Sequence, residues 1–286
     1  MTSHSFRINI SDDEKRTAEE ITYHYNVEKE LADKLRNARK DERQSLYISL
    51  YDELYRRVPN HPQLTRKADE HQQRQVVGRQ IQFLKKFLTA DATFMEIGAG
   101  DCSLSCEVCQ QVKKVYAIDV SKTITQNSEF PPNFNLVISD GCSIPVPEES
   151  VTVAYSNQLM EHLHPDDAKE QLGNVYKALA PGGVYVCVTP SRFNGPHDIS
   201  KYFDKTATGF HLKEYTVTEM VGLLSECGFS KVQMFMGVRN HFVSFSIFPI
   251  QLIERVLDNI HDELARWMAS VIPLRILLGV SVVGTK

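Results

Sequence analysis

The feature that most constrains the fold is a short apolar stretch that runs into two glycines. Residues 93–97 have the pattern of a buried β-strand, and Gly98 and Gly100 follow directly, separated by Ala99. Glycine lets the backbone turn sharply and lets a ligand approach without a Cβ in the way. A helix is predicted after this loop at 103–112, and its first amides would face a polar ligand. This order of strand, glycine loop and helix indicates a ligand site at the edge of a sheet.

Strands and helices alternate from this point on, which predicts an α/β fold with a mostly parallel sheet covered by helices on both faces. The predicted strands are 93–97, 114–118, 134–138, 151–155, 183–189, 231–237 and 276–283. The predicted helices are 103–112, 121–128, 158–179, 215–227 and 249–271. The last of them has an unbroken 3.6-residue apolar stripe, so we expect one continuous helix inserted before the final strand.

The start of the chain has a helical pattern with charged faces. Three helices are predicted, at 11–38, 41–57 and 67–88. One ladder in the second helix consists of tyrosines, Tyr47, Tyr51 and Tyr55. The apolar faces are too small to stand alone, so we expect residues 1–66 to form a helical cap on a domain of residues 67–286. The tyrosines are consistent with the cover of an apolar pocket, and simple helix packing explains them as well.

An acidic residue ends the second predicted strand. Asp119 comes 21 residues after Gly98, where a carboxylate can accept hydrogen bonds from the two hydroxyls of a ribose. Two details argue against a nicotinamide dinucleotide. Ser103 replaces the third glycine of that fingerprint, and Glu96 within the first strand would repel a diphosphate but attract an ammonium group.

In these residues the chain resembles the class I S-adenosylmethionine-dependent methyltransferases, over about residues 75–237. The resemblance rests on five motifs in order, which are 96–100, Asp119, 140–142, 153–158 and 179–183. It implies a Rossmann-like seven-stranded, mostly parallel sheet with one antiparallel strand, a helical N-terminal cap and a helical insertion before the last strand. It also implies S-adenosylmethionine as cofactor. The cofactor-binding residues it implies are Glu96, Gly98, Ala99, Gly100, Asp119, Val120, Asp140, Gly141, Cys142, Asn157 and Gln158.

The resemblance also implies a role for individual side chains. Glu96 would bind the methionine ammonium group, and Asp119 the ribose hydroxyls. Asp140 would accept a hydrogen bond from the adenine amino group, although an Asp-Gly turn explains this residue too. Asn157 and Gln158 would line the sulfonium end of the cofactor.

Methyl transfer from a sulfonium depends mainly on positioning, and a base is needed when the nucleophile must lose a proton. The resemblance does not identify such a base. His162 follows the fourth strand, and a long polar loop after the fifth strand contains His197, Tyr202 and His211. Loops at this edge of a sheet often carry function. These four residues are therefore the candidates, and capping of a long loop is the alternative role.

Two patterns resemble metal sites. The residues of the first are Gln158, Glu161 and His162, which would share one face of the predicted helix. A neutral amide is a poor metal ligand, so we expect a structural role there and no metal. The residues of the second are Cys102, Cys106 and Cys109, with the C-x3-C-x2-C spacing of radical S-adenosylmethionine enzymes. On a helix these thiols would share the face that packs on the sheet, so we expect buried, reduced cysteines.

The chain has 32 basic and 36 acidic residues, a net charge of −4, which disfavours a nucleic-acid partner. It shows no transmembrane stretch and no export signal, so we expect a cytoplasmic protein. The expected function is methyl transfer by in-line displacement to a small-molecule acceptor with an O-, N- or C-nucleophile. Two alternatives remain open: a lipid-associated binding module that docks through its C-terminal helix, and a methyltransferase that acts on a macromolecule.

Overall fold

The structure is a computed structural model, and it describes residues 14–62, 64, 70–120, 130–238 and 241–286. The predicted helix at 121–128 lies outside the described residues. So do the first residues of the helices predicted at 11–38 and 67–88.

The described strands form one sheet in the order β3-β2-β1-β4-β5-β8-β6-β7. They are β1 (Thr93–Ile97), β2 (Lys114–Asp119), β3 (Phe134–Ile138), β4 (Val151–Asn157), β5 (Leu179–Thr189), β6 (Lys231–Val238), β7 (His241–Phe245) and β8 (Val280–Thr285). The first five strands pair in parallel, whereas β8 runs antiparallel to β5 and β6. The α/β class and the mostly parallel sheet are confirmed. The strand count was wrong by one, because β7 forms an antiparallel hairpin with β6 at the edge.

Nine α-helices are described. They are α1 (Ala18–Asn37), α2 (Lys40–Arg57), α3 (Glu70–Leu84), α4 (Ser103–Val108), α5 (Pro165–Ala178), α6 (Val217–Glu226), α7 (Ile247–Asp258), α8 (Asp262–Ser270) and α9 (Ile272–Leu277). Short 3-10 turns are formed by Met160–His162, Arg192–Asn194 and Ile199–Tyr202. In the described part of the chain, none of these helices is both long and apolar enough to span a bilayer.

The helix predicted at 103–112 ends at Val108, and the helix predicted at 67–88 ends at Leu84. Two further helices differ more from the prediction. The helix predicted at 158–179 begins at Pro165, because Gln158 has a left-handed backbone (φ 54°) and a 3-10 turn follows it. The helix predicted at 249–271 is broken after Asp258. His261 then caps α8, where its Nδ1 accepts a hydrogen bond from the Glu263 amide, and a third helix follows. Because α9 occupies residues 272–277, the last strand starts at 280 rather than at the predicted 276.

Both faces of the sheet are buried, as in other parallel sheets. Phe94 and Val153 pack with α3 and α4 on one face. Met95 and Ala154 lie on the other face, in a core that also contains residues of α1, α2, α5 and α6. The helices of the N-terminal cap therefore share a hydrophobic core with the sheet.

The cap is also joined to the sheet's carboxyl edge by specific contacts. Arg43 of α2 donates two hydrogen bonds of 2.6 Å to the carboxylate of Asp167 in α5. The ring of Tyr47 lies 2.9 Å from the position of a Cβ on Gly141 (φ +93°), so this glycine permits the close approach of α2. The loops that follow β3, β4 and β5 thus lie beside the cap.

Candidate active site

The glycine loop after β1 has the strained geometry that only glycine accepts easily. Gly98 and Gly100 have φ angles of +73° and +54°. The amide of Gly100 donates a 2.7 Å hydrogen bond to Asp119, which fixes the loop against β2. A Cβ on Gly98 would contact Leu159, but a Cβ on Gly100 would meet nothing within 4 Å. The space beside Gly100 is therefore open to a ligand.

This space is part of a cavity of about 320 Å³, which we call the glycine-loop cavity. Its lining residues are Gln72, Gln73, Val76, Val77, Gln80, Glu96, Gly98, Ala99, Gly100, Asp101, Ser103, Leu104 and Asn157. Five of the residues proposed for the cofactor line it: Glu96, Gly98, Ala99, Gly100 and Asn157. The glutamines of α3 were not among the residues predicted from the sequence. Their signal was spacing, because Gln73 and Gln80 share the helix face of Val77.

Glu96 is buried in the wall of this cavity. Its Oε2 accepts a 2.5 Å hydrogen bond from the hydroxyl of Ser105 in α4. Burial raises the pKa of Glu96 to about 8, although the Ser105 hydrogen bond acts in the opposite direction. A carboxyl in this state is poised to ionise when a positive group approaches it.

The other residues proposed for the cofactor lie elsewhere along the same edge. Asp140 uses Oδ1 to accept hydrogen bonds from the amides of Cys142 and Ser143, and Oδ2 accepts one from Gln44. Burial would raise the pKa of Asp140, but these backbone hydrogen bonds lower it. Asp140 therefore stabilises the turn after β3, which is the alternative role considered from the sequence. Its contact with adenine stays a prediction.

Three further positions stay predictions in the same way. Cys142 is buried, and burial raises its pKa to about 12. Gln158 is exposed, and its backbone N–H donates a hydrogen bond to the carbonyl oxygen of Val188. Val120 packs at the margin of the core and directly precedes residues outside the described part.

A second cavity, of about 150 Å³, lies between the cap and the loop after β5; we call it the histidine cavity. Its lining residues are Arg16, His24, Glu28, Tyr51, Leu54, His61, Pro62, His162, His197, Asp198, Ile199, Lys201, Tyr202, Phe210 and His211. The structure thus brings together all four candidates for a base: His162, His197, Tyr202 and His211.

Glu214 orients two of these histidines. Its Oε1 lies 2.7 Å from Nδ1 of His211 and accepts a 2.7 Å hydrogen bond from the amide of His197. Burial would raise the pKa of Glu214, but the hydrogen bonds from His197 and His211 lower it to about 2. Burial would lower the pKa of His211, but the hydrogen bond to Glu214 and nearby carboxylates raise it.

His162 is held by the cap and the loop together. Its Nδ1 lies 2.9 Å from the hydroxyl of Tyr51 and 3.1 Å from the carbonyl oxygen of Phe210. The rings of Tyr51 and Phe210 stack at 4.7 Å. Burial lowers the pKa of His162, which favours the neutral ring.

The cap contributes a buried polar pair that was not predicted from the sequence. Nε2 of His24 lies 2.8 Å from Glu28 Oε2, and Oε1 of Glu28 accepts a 2.9 Å hydrogen bond from the amide of Phe210. Burial would raise the pKa of Glu28, but His24 lowers it. The signal was present in α1, because both residues occupy positions of the apolar stripe that contains Leu31.

The three cysteines with radical-enzyme spacing do not gather at a site. Cys102 and Cys109 are buried and flank the short helix α4, and Cys106 is half-buried. Burial raises the pKa of Cys102 to about 12 and that of Cys109 to about 11. The predicted burial is confirmed for Cys102 and Cys109, where it disfavours the reactive thiolate form.

Comparison with known proteins adds to this geometry. Residues 95–187 match the family model described as a methyltransferase domain. A probable S-adenosylmethionine-dependent methyltransferase of Mycolicibacterium smegmatis is 26% identical over 145 residues, which cover 50% of this chain and 54% of that protein. The family match identifies residues 95–187 as a methyltransferase domain. Phosphoethanolamine N-methyltransferase 1 of Triticum aestivum is 25% identical to this chain over 124 residues, which cover 41% of this chain and 25% of that protein.

A solved structure shows the same fold as this chain. The S-adenosylmethionine-dependent methyltransferase of Archaeoglobus fulgidus superposes with a TM-score of 0.50 at 18% identity, over 74% of this chain and 94% of that one. The chain spans about half the length of the first curated relative and a quarter of the second.

The glycine-loop cavity fits the cofactor of this family. The open space beside Gly100 admits a ligand against the backbone, and the buried carboxyl of Glu96 faces the same cavity. S-adenosylmethionine carries an ammonium group, which complements that carboxyl.

Proposed function

We propose that this methyltransferase transfers the methyl group of S-adenosylmethionine to a small-molecule acceptor that binds in the histidine cavity. The observation that carries the proposal is the convergence of His162, His197 and His211, with Tyr202, on one cavity. The cap helices close that cavity, and a volume of about 150 Å³ suits a small molecule better than a polymer. The name of one relative specifies phosphoethanolamine, which is itself a small acceptor.

The proposed chemistry needs little besides orientation. The nucleophile of the acceptor attacks the methyl carbon, the bond from that carbon to sulfur breaks, and the electron pair stays on sulfur. A proton lost by the nucleophile passes to one of the histidines. Burial raises the pKa of Tyr202, so its hydroxyl stays protonated and orients the acceptor by hydrogen bonding. Glu96 and the glycine loop would hold the cofactor, and the turn between Asn157 and His162 joins the two cavities along the chain.

Radiolabelled methyl transfer tests this proposal. Purified protein is incubated with methyl-labelled S-adenosylmethionine and separate fractions of small metabolites, RNA and protein from a cell extract. We expect label in the small-metabolite fraction, and much less with the control Asp119→Asn, which lacks the carboxylate at the end of β2. Label in RNA or protein alone would contradict the proposal.

A second candidate, association with a lipid surface, is favoured by the side chains that the C-terminal helices expose. Phe248 of α7 is 73% exposed, Trp267 of α8 65% and Ile272 of α9 66%. Bulky apolar side chains of this kind, with tryptophan among them, suit a membrane interface. Co-sedimentation with phosphatidylcholine vesicles tests the idea. Phe248→Ser/Trp267→Ser should abolish binding, and absence of binding by the unchanged chain excludes this candidate.

A further inference from the structure

One buried carboxylate oxygen next to the histidine cavity has no partner among the described residues. Glu161 is fully buried, and its Oε2 accepts a 2.8 Å hydrogen bond from the hydroxyl of Thr189 in β5. Its Oε1 accepts no hydrogen bond in the described part of the chain. The nearest ionisable nitrogen is Nε2 of His162, at 3.9 Å. A buried carboxylate oxygen is costly unless a donor or a cation approaches it, so this oxygen indicates a binding role.

Two histidines turn a lone pair toward the same place. Nδ1 of His162 lies 3.1 Å from the carbonyl oxygen of Phe210, which can only accept, and 2.9 Å from the hydroxyl of Tyr51, which can accept as well. A hydrogen on Nδ1 satisfies both contacts, and Nε2 then keeps the lone pair. Nδ1 of His211 faces the carboxylate of Glu214, so Nδ1 holds a hydrogen there too, and loss of the second proton exposes the lone pair of Nε2. Carbonyl and carboxylate partners of this kind orient histidines in metal sites, where they fix the ring and leave the other nitrogen to the metal.

The three side chains converge. One ligand atom from each of Glu161, His162 and His211 lies within 4.8 Å of the corresponding atoms of the other two. Positive side chains nearby have other partners: Lys213 pairs with Glu219 at 3.2 Å, and Arg16 pairs with Glu14 at 2.7 Å. A set of three acceptors beside Glu214 therefore complements a positive charge.

We propose that Glu161, His162 and His211 form a cation-binding site in the wall of the histidine cavity. The shared chemistry is a positive charge that accepts electron density from one carboxylate oxygen and two imidazole nitrogens. Zn²⁺ and Mn²⁺ take such ligands, and a substrate ammonium group can donate hydrogen bonds to them. The site differs from the helical trio considered from the sequence, because Gln158 is exposed and His211 comes from the loop after β5.

A cation site explains contacts around Glu161, His162 and His211 that the fold alone does not require. Thr189 holds one oxygen of Glu161 and so directs the other toward His162. Phe210 and Glu214 set the tautomers of the two rings. A cation placed there would lie in the cavity proposed for the acceptor, where it could bind or orient the acceptor's nucleophile.

Isothermal titration of the full chain, freed of metal by a chelator, tests the site without any methyl acceptor. Zn²⁺, Mn²⁺ and methylammonium are titrated separately, so that a metal site and an ammonium site are distinguished. We expect one equivalent of one of these probes to bind saturably. Glu161→Gln and His211→Asn should each weaken that binding at least tenfold, because each removes one of three ligands.

The matched control is His197→Asn, which changes a histidine of the same cavity that does not belong to the trio. We expect its affinity to stay within twofold of the unchanged chain. Glu161→Gln keeps the oxygen that Thr189 binds, so it should fold, and circular dichroism checks this. If it does not fold, the absorption bands of Co²⁺ added to the unchanged chain and to His211→Asn provide the comparison.

Absence of saturable binding by all three probes would overturn the site. Binding that survives both Glu161→Gln and His211→Asn would overturn it as well. These outcomes are independent of methyl transfer, so a chain that transfers methyl groups but binds no cation would refute this inference alone.

Discussion

Glu96 is unfavourable for the stability of the fold but favourable for binding a positively charged ligand. It occupies a buried position of β1 between Met95 and Ile97, where an apolar side chain would be stable. Its single described side-chain hydrogen bond comes from Ser105, and burial raises its pKa to about 8. The sequence indicated this residue because an acidic side chain is rarely buried in a strand unless it has a binding or pairing partner.

We expect the pH dependence of stability to reveal the charge on Glu96. The pKa of Glu96 in the folded state is above its unfolded value of about 4.5. Protonated Glu96 therefore makes its full contribution to the free energy of unfolding below pH 4.5, and this contribution is lost as pH rises toward 8. Glu96→Gln should match the unchanged chain near pH 5. It should be more stable than that chain at pH 8, by on the order of 3 kcal/mol.

Urea denaturation at pH 5, 6.5 and 8 measures this difference. The matched control is Glu107→Gln on α4, whose side chain is exposed. We expect its stability curve to run parallel to that of the unchanged chain. If Glu96→Gln also gave a parallel curve, Glu96 would be ionised throughout this range, and its proposed state would be wrong.

At the scale of the element, α2 contains a buried ion-pairing residue although its sequence looks like that of a surface helix. Arg43 lies among charged residues near the start of α2, yet it is buried and pairs with Asp167 through two hydrogen bonds. The hydroxyl of Tyr47 donates to the same carboxylate at 2.7 Å. The pairing residues lie 124 positions apart, so no local pattern could reveal the contact.

We expect Arg43→Met to destabilise the protein by about 3–5 kcal/mol, because it leaves the buried Asp167 without its cation. Arg39→Met is the control at the N-cap of the same helix, where the charged group is exposed, and its cost should stay below about 1 kcal/mol. Chemical denaturation measures both. The double variant Arg43→Met/Asp167→Leu should recover most of the loss. If it did not, the charge pair would not explain the effect.

The C-terminal helices show where periodicity misled us. The apolar stripe from Ile253 to Val271 continues at helical spacing across the interruption between α7 and α8. Both helices bury residues in one small cluster, which explains the continuity. Leu257 and Ala265 belong to that cluster, although they lie on different helices. The capping signal at His261, followed by two acids, was the local evidence for a new start.

At the scale of the whole molecule, the cap and the sheet act as one unit. Residues of α1 and α2 belong to the same core as β1 and β4, whereas α8 packs in a separate small cluster. The boundary between a cap of residues 1–66 and the following domain is a proposal. The shared core indicates that the two parts do not unfold separately.

Hydrogen exchange tests this coupling. We expect amides of α1 and α2 to exchange at the same slow rate as those of β1 and β4, and amides of α8 to exchange faster. Denaturant below the unfolding midpoint should accelerate the first group together. Fast exchange confined to α1 and α2 would mean that the cap opens by itself.

The sequence by itself determined the parts that rest on local physics. Strands at 93–97 and 134–138 were predicted to the residue, since an apolar run between turns has few other conformations. The glycine loop with Glu96 and Asp119 was equally local, and the family resemblance followed from it. Tertiary structure alone decided the histidine cavity, because His24, His162 and His211 approach one another only when α1 packs on the loop after β5. The tautomers and the convergence of Glu161 with two histidines depend on that packing, since side-chain geometry is set by neighbours distant in sequence.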